Sequence, residues 1–322
     1  MRVLITGASG YLGRALVSAF QSAGHSTVAF ARRAGVSGLP GDLIDGDVRD
    51  AAGLSRAAQG CDALCHSAAL VTVWSRRRQD FDDVNVGGLQ NALDAARAAG
   101  IRRIVYTSSF LALPPAGASE PGRWNDYQRT KVIADELASR AVAGGAPIVR
   151  VYPGVIYGPG TLTEGNLVGR MVTDHLHGGL PGLIGADCVW SYARVDDVAR
   201  GHVAALERGR VGERYRLGGD NRPQMRVFEL VRDLTGRAVP RRLPPWLATA
   251  VGAIEELRAG FTGRPPLLTA GTVKILTRDW PMDSRLAVDE LGYAIAPFEE
   301  GIAQVVAQAV QSRDAQRGRR GA

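Results

Sequence analysis

The sequence predicts an α/β chain in which a doubly wound parallel sheet, a Rossmann-type arrangement, is followed by a smaller, irregular α/β lobe. Three observations predict it. Short apolar runs alternate with amphipathic helical stretches through the first half. The first run, Val3–Ile5, leads at once into Gly7, Gly10 and Gly13 and then a helix. Beyond Gly154 the alternation gives way to Gly- and Pro-rich loops.

Val3, Leu4 and Ile5 form the unbroken apolar run of a strand covered on both faces. The helix after it, Tyr11–Ala23, places Leu12, Leu16, Val17 and Phe20 at helical spacing. Gly7 permits a tight turn off the strand, Gly10 lets the backbone approach a phosphate, and Gly13 lets helix and strand pack closely. The N–H groups of this turn (Ser9, Tyr11 and Leu12 lie between the glycines) and the helix dipole suit a pyrophosphate. In that context the stretch is a dinucleotide-binding corner rather than an ordinary strand–turn–helix.

A second strand, Thr27–Ala31, ends in Arg32 and Arg33, and a third, Leu43–Gly46, leads to Asp47 and Val48. Helix Ala51–Ala58 precedes strand Ala63–Ser67, which runs into Ala68 and Ala69. A long helix is expected over Asp80–Ala99, with Val86, Leu89, Leu93 and Ala96 on one face and Gly100 at its end. Strand Ile104–Thr107 opens into the loop Ser108–Asn125; helix Tyr127–Val142 and strand Ile148–Val151 follow, ending at Pro153-Gly154. Beyond it, loops Tyr157–Gly165 and Gly178–Gly185 surround a helix at Leu167–His177, and Asp196 or Asp197 caps a helix running to Glu207. Short strands are expected from Tyr215, then helices at Phe228–Leu234, Trp246–Leu257, Ser284–Leu291 and Phe298–Gln311. The expected division is a cofactor domain at 1–155 with about 190–210, a substrate lobe at 156–189 and 211–311, and a disordered tail at 312–322.

The composition, 45% hydrophobic and 22% charged over 322 residues, is that of an ordinary globular protein. No run approaches the ~18 apolar residues that a membrane span requires. Trp246–Ile254 is short and ends at Glu255-Glu256, so a core or pocket-lining helix is expected there and no membrane partner. The chain enters a strand at once, which predicts no signal peptide and a cytoplasmic protein. Cys61, Cys65 and Cys188 are too few for a disulfide framework; Cys65 and His66 point to opposite faces of a strand, so packing is expected and no metal. The net charge of +7 is dispersed apart from Arg76–Arg78 and the tail, and no nucleic-acid module accompanies it.

Tyr127 and Lys131 lie four apart on one helix face. A phenol of pKa ~10 serves poorly in proton transfer at neutral pH, and an ammonium one turn away is expected to favour its phenolate. The pair follows Thr107-Ser108-Ser109 at the carboxyl end of a strand, where a serine hydroxyl can hold a carbonyl oxygen. The second strand ends at Ala31-Arg32-Arg33 with no carboxylate to bind a ribose 2′-OH, and guanidinium groups suit a 2′-phosphate. NADP(H) is therefore favoured over NAD(H), although two exposed loop arginines are the bland alternative.

With those residues assembled, the chain resembles the extended branch of the short-chain dehydrogenase/reductase superfamily, the NAD-dependent epimerase/dehydratase family. The resemblance runs from about Val3 to Ala309 and is greatest up to Gly160. It rests on TGASGYLG (Thr6–Gly13), GDVRD (Gly46–Asp50), HSAA (His66–Ala69), VNVGGLQNALDAA (Val84–Ala96), VYTSS (Val105–Ser109), YQRTK (Tyr127–Lys131), RVYPGVIYGPG (Arg150–Gly160) and VDDVA (Val195–Ala199). It implies a catalytic triad of Ser109, Tyr127 and Lys131, with Lys131 also on the nicotinamide ribose. It implies that Asp47 and Val48 hold the adenine, that Ala68, Ala69 and Thr107 line the cofactor groove, and that Pro153, Val155 and Ile156 face the nicotinamide. Asn85 steadies the site or is a structural helix asparagine.

Dehydratases of the superfamily carry Thr-Asp-Glu where this chain has Ser109-Phe110-Leu111, and the arginine of an epimerase diphosphate clamp is missing near Trp190-Ser191-Tyr192, with Arg194 in place of the common histidine. Phe110, Leu111, Leu113, Trp190 and the segment at Trp246 look instead like the dihydroflavonol 4-reductase and 3-beta-hydroxysteroid dehydrogenase group, or are simply core. The expected function is NADPH-dependent reduction of a ketone or aldehyde on an apolar or aromatic small molecule, or the reverse. The rivals are an NAD-dependent nucleotide-sugar epimerase and a non-catalytic NADP(H)-binding regulator. Helices 80–99 and 127–142 could pair in a homodimer.

Overall fold

The computed structural model describes residues 1–320, with side chains through Ser312. Seven strands form one parallel sheet: β1 (Arg2–Thr6), β2 (Ser26–Ala31), β3 (Asp42–Asp45), β4 (Ala63–His66), β5 (Arg103–Thr107), β6 (Ile148–Pro153) and β9 (Arg214–Leu217), in the order β3-β2-β1-β4-β5-β6-β9. The chain order reverses between β1 and β4, so a crevice opens there at the carboxyl ends of the strands. The β strands are covered on both faces. Helices α1 (Tyr11–Ser22) and α7 (Val195–Arg208) pack Leu16, Val17, Phe20, Val198 and Leu206 on one face. On the other, α2 (Ala51–Ala58), α4 (Gly88–Ala98) and α5 (Asp126–Ala143) bury Leu54, Leu89, Leu93, Ala134 and Ala138 against Leu4, Val28, Leu64 and Ile104. The hydrophobic runs read in the sequence follow from this double coverage.

A second sheet of three strands, β10 (Asp220–Pro223), β8 (Val189–Arg194) and β7 (Val155–Tyr157), was not expected. Helices α6 (Leu167–His177), α8 (Gln224–Thr235) and α12 (Phe298–Arg320) enclose its core of Trp190, Tyr192, Val172, Phe228 and Ile302. Strand pairing moves the expected division: 190–194 belongs to this small sheet, and β9 belongs to the large one. Helix α11 (Arg285–Leu291) also joins the large sheet, packing Ala287 and Leu291 into its core.

Other expectations shift. The long helix is three joined pieces, α3 (Gln79–Asp82), a π turn at Asp83–Gly87, and α4. Arg194 rather than an aspartate occupies the N-cap of α7; Asp196 and Asp197 sit in its first turn, where the helix dipole favours carboxylates. Helix α10 (Ala270–Leu276) and a 3₁₀ turn at Phe110–Ala112 are additional. Helix α12 continues through Arg320 where a disordered tail was expected, its last turns being rich in Gln, Ala and Arg, which favour helix; residues 321–322 lie outside the described part. Helix α9 (Pro245–Thr262) meets the core only through small residues, Ala248 packing with Ile184 and Val273, while its large ones, Trp246, Ile254, Leu257 and Phe261, are exposed where the sequence predicts a core or pocket-lining helix. No described helix is long and apolar enough to cross a membrane.

Candidate active site

The glycine corner is built as its spacing requires. Gly7 has φ +73°, and a Cβ there would lie 2.8 Å from the backbone of Ala68 at the end of β4. A Cβ on Gly13 would lie 2.1 Å from the Gly7 carbonyl oxygen, so helix and turn can be this close only with glycine. Gly10 is the N-cap of α1, and no side chain caps it, which leaves the first-turn N–H groups for an external acceptor. Ser9 and Leu12 flank this opening half-buried, while the Tyr11 side chain turns away, its hydroxyl donating to the Gly158 carbonyl at 3.0 Å. An uncapped helix start beside a glycine cradle fits the pyrophosphate of a dinucleotide.

The remaining expected cofactor residues follow β1's neighbours along the same carboxyl edge. Arg32 and Arg33, just beyond β2, are exposed, with no carboxylate within 4.0 Å among the described residues. Beyond β3, Asp47 accepts two hydrogen bonds from the Arg49 guanidinium (2.9 and 2.7 Å), which with Arg32 holds its carboxyl below the usual range. Val48 is buried in the core, tucked against Gly88. Ala68 and Ala69 follow β4, half-buried. Thr107 ends β5 with its hydroxyl 3.0 Å from His202 Nε2. Pro153 and Val155 are buried at the junction of β6 and β7, and Ile156 packs onto the large-sheet core.

Ser109, Tyr127 and Lys131 come together beside Thr107. Asn125 caps α5 by accepting from Gln128 N at 2.8 Å, which sets the angle at which Tyr127 and Lys131 leave the helix. Ser109 is buried and accepts from Leu111 N at 3.2 Å, so the 3₁₀ turn fixes its hydroxyl. Tyr127 is half-buried; burial of its hydroxyl raises its pKa, and a hydrogen bond with the Ser109 hydroxyl opposes part of that rise. Lys131 is buried, donates to the Thr107 carbonyl at 2.8 Å and lies 5.1 Å from the centre of the Tyr106 ring. Burial brings its pKa down to about 8, against the opposing charge of Asp135. With the Lys131 ammonium turned to the Thr107 carbonyl, the Tyr127 phenol stands above its ordinary pKa, where the sequence predicts a lowered one; burial raises it and the Ser109 hydroxyl offsets only part of the rise.

Asp135 and Tyr106 escaped sequence reasoning. Asp135 accepts from Ser108 Oγ (2.9 Å) and the Tyr152 hydroxyl (2.6 Å), one helical turn beyond Lys131. The Lys131–Asp135 spacing was the available signal. Asn85, in the π turn, accepts from Leu70 N at 2.7 Å and donates to Thr130 Oγ1 at 2.9 Å, so it ties the Ala68–Leu70 loop to α5. Aromatic residues gather beside Ser109 and Tyr127: Phe110 lies edge-on to Trp280 (5.4 Å) and near Trp190 (6.1 Å), and Trp124 lies edge-on to Trp280 at 6.3 Å. Trp190 and Leu111 are core, as one of the two sequence alternatives held. Cys61 and Cys65 are buried and His66 is packed against Thr6; no cluster able to hold a metal occurs among the described residues.

Residues 3–218 match the model of the NAD dependent epimerase/dehydratase family. The chain belongs to that family. It is an NAD(P)-dependent enzyme of the extended short-chain dehydrogenase/reductase branch. It is 32% identical over 325 residues to sterol demethylase protein B of Methylococcus capsulatus (strain Bath), covering 95% of this chain and 98% of that one. A Synechocystis protein provisionally named dihydroflavonol 4-reductase is 29% identical over 324 residues, with 94% and 92% covered. Among solved structures, that of gox2253 superposes with a TM-score of 0.81 at 29% identity, covering 96% of this chain and 98% of the other.

Proposed function

We propose that this enzyme reduces a ketone or aldehyde on an apolar or aromatic small molecule with NADPH, or runs the reverse oxidation. The observation that carries the reading is the convergence of Ser109, Tyr127 and Lys131 at the edge that also bears the glycine corner. When bound, the nicotinamide supplies the hydride. Ser109 orients the substrate oxygen, Tyr127 gives it a proton, and Lys131 holds Thr107 and the ribose side of the groove. The exposed pair Arg32 and Arg33 supports a 2′-phosphate, and Asp47 and Val48 the adenine edge. Phe110 and Trp124, half-buried around Trp280, support an apolar substrate. The names of the sterol and dihydroflavonol relatives point the same way. The reading places the enzyme in the cytosol, with two-fold pairing through α4 and α5.

The test is consumption of NADPH against NADH with steroid, flavonoid and simple aryl ketones. NADPH-dependent turnover of an apolar ketone is expected, and the double variant Arg32→Glu/Arg33→Glu loses the NADPH preference by at least about tenfold. Tight calorimetric binding of a UDP-sugar with no ketone turnover would replace this reading with an epimerase. Good NADPH binding with no turnover of any carbonyl or alcohol would leave a regulator.

A further inference from the structure

Helix α9 has its apolar side chains the wrong way round for a core helix. Its buried residues are small: Ala248, Gly252 and Ala259. A Cβ on Gly252 would lie 2.9 Å from Ala270 N, so small residues let α9 lie directly on the start of α10. The large residues Trp246, Leu247, Ile254, Leu257 and Phe261 lie on the other side, with Val251 and Arg258 along its margin; Trp246 is 73% and Phe261 85% exposed. Leu267, beyond the helix end, is 89% exposed. Single exposed apolar residues need no explanation, but a contiguous face along an 18-residue helix does.

Charge selects the occupant. The two carboxylates of α9 are turned off this face: Glu256 accepts from Ala270 N at 3.2 Å, and Glu255 is mostly covered and paired with Arg258 at 2.6 Å. The rim is cationic. Arg241 and Arg242 precede the Trp246 end, and Arg242 pairs with Asp187. Arg264 follows the Phe261 end, and the Arg76 guanidinium lies against Gly263 at the helix terminus. Arg76 and Arg264 have no carboxylate within 4.0 Å among the described residues. A Trp- and Phe-bearing apolar face with arginines at both ends matches an interfacial helix on an anionic bilayer.

We propose that α9 lies in the surface of a lipid bilayer carrying anionic headgroups, with Trp246 through Phe261 among the acyl chains and Arg76, Arg241 and Arg264 on the phosphates. The chain binds the membrane peripherally, in place of the absence of membrane contact that the sequence suggests. α10 joins this face to the site, since a Cβ on Gly271 would lie 2.0 Å from the Trp124 carbonyl oxygen at the start of α5. Docking itself does not depend on the reductase reading.

Co-sedimentation of the full chain with vesicles tests it. Binding is expected to vesicles of equal phosphatidylglycerol and phosphatidylcholine, weakening at least about tenfold when salt is raised from 0.1 to 0.5 M. Trp246→Ser/Phe261→Ser should weaken it about tenfold or more, and Arg76→Gln/Arg264→Gln about fivefold per arginine. Circular dichroism and NADPH binding should be unchanged in both variants, which separates loss of docking from misfolding. Absence of binding to the anionic vesicles overturns the proposal. So does equal, salt-insensitive binding to pure phosphatidylcholine, or a dimer in sedimentation velocity that Trp246→Ser/Phe261→Ser dissociates, which would assign the face to a second copy.

Discussion

The tightest glycine approach in the parallel-sheet half is local, and the tightest ones in the second lobe are long-range. Gly13 approaches the Gly7 carbonyl, a partner within the same turn. In the lobe, Gly185 approaches Leu276, Gly219 approaches Tyr192, and Gly271 approaches Trp124, all distant in the chain. The first kind of contact is written into a local motif. The second exists only once the lobe has folded, and no spacing announces it. The polar groups follow the same division: Ser109, Tyr127 and Lys131 meet at the strand edge, while the lobe packs a mostly apolar core.

The widest separation should come from the chemistry. Tyr127→Phe removes the proposed proton donor and leaves the glycine corner untouched, so turnover should fall about 10²–10⁴-fold. NADPH affinity, measured by fluorescence titration, should stay within about twofold. Equal losses in turnover and affinity would mean that the edge is one structural unit rather than a chemical group on a binding scaffold.

Paired glycine substitutions sharpen the comparison next. Gly13→Ala forces a methyl to within 2.1 Å of a backbone oxygen, and Gly271→Ala to within 2.0 Å of another. Each overpacked site should cost about 1–3 kcal/mol or more in urea unfolding. The division appears in function: Gly13→Ala should also weaken NADPH binding at least about tenfold, whereas Gly271→Ala should leave it nearly unchanged.

The first half was legible because its determinants act over a few residues. Gly7, Gly10 and Gly13, the i,i+4 pair Tyr127 and Lys131, and the apolar runs of β1, β4, β5 and β6 all encode local backbone or helix-face requirements. They put the glycine corner and the group Ser109, Tyr127 and Lys131 on one edge of the sheet. The small sheet was illegible because β7 and β10 are short and pair through β8, with no periodic signal of their own. The helix interrupted by a π turn at Asp83–Gly87 kept its apolar face, so periodicity alone could not show the break. The direction taken by the Lys131 ammonium was equally invisible, since it depends on the Thr107 carbonyl across the α5–β5 junction. Helix α9 defeats the usual assumption that a large apolar residue is buried.

Lys131 supplies a test by pH. Burial takes its pKa from 10.5 to about 8. Between those values the folded chain holds fewer protons at this site than the unfolded chain, so stability from this group rises with pH. Its penalty is fully present below about pH 8 and is relieved by pH 10.5, amounting to about 3 kcal/mol. Lys131→Met removes that slope while abolishing turnover. In urea midpoints compared from pH 7 to 10.5, the wild type should gain relative to the variant by an amount of this order. Parallel pH curves would show that the lysine is better solvated or better paired than its position beside Thr107 implies.

The smallest effect belongs to the exposed face of α9, and it completes the contrast with the sheet. Trp246→Ser removes the largest apolar side chain of that face, yet the ring makes little use of the fold, being 73% exposed. Trp and Ser have similar helix propensities, so the helix itself should barely respond. Unfolding stability without lipid should therefore change by less than about 0.5 kcal/mol. Phe20, fully buried between α1 and the large sheet, gives the opposite limit: Phe20→Ala should cost about 3–5 kcal/mol. Comparable losses from the two substitutions would mean that Trp246 is covered in solution by the protein itself, and the outward face of α9 would then be part of its core.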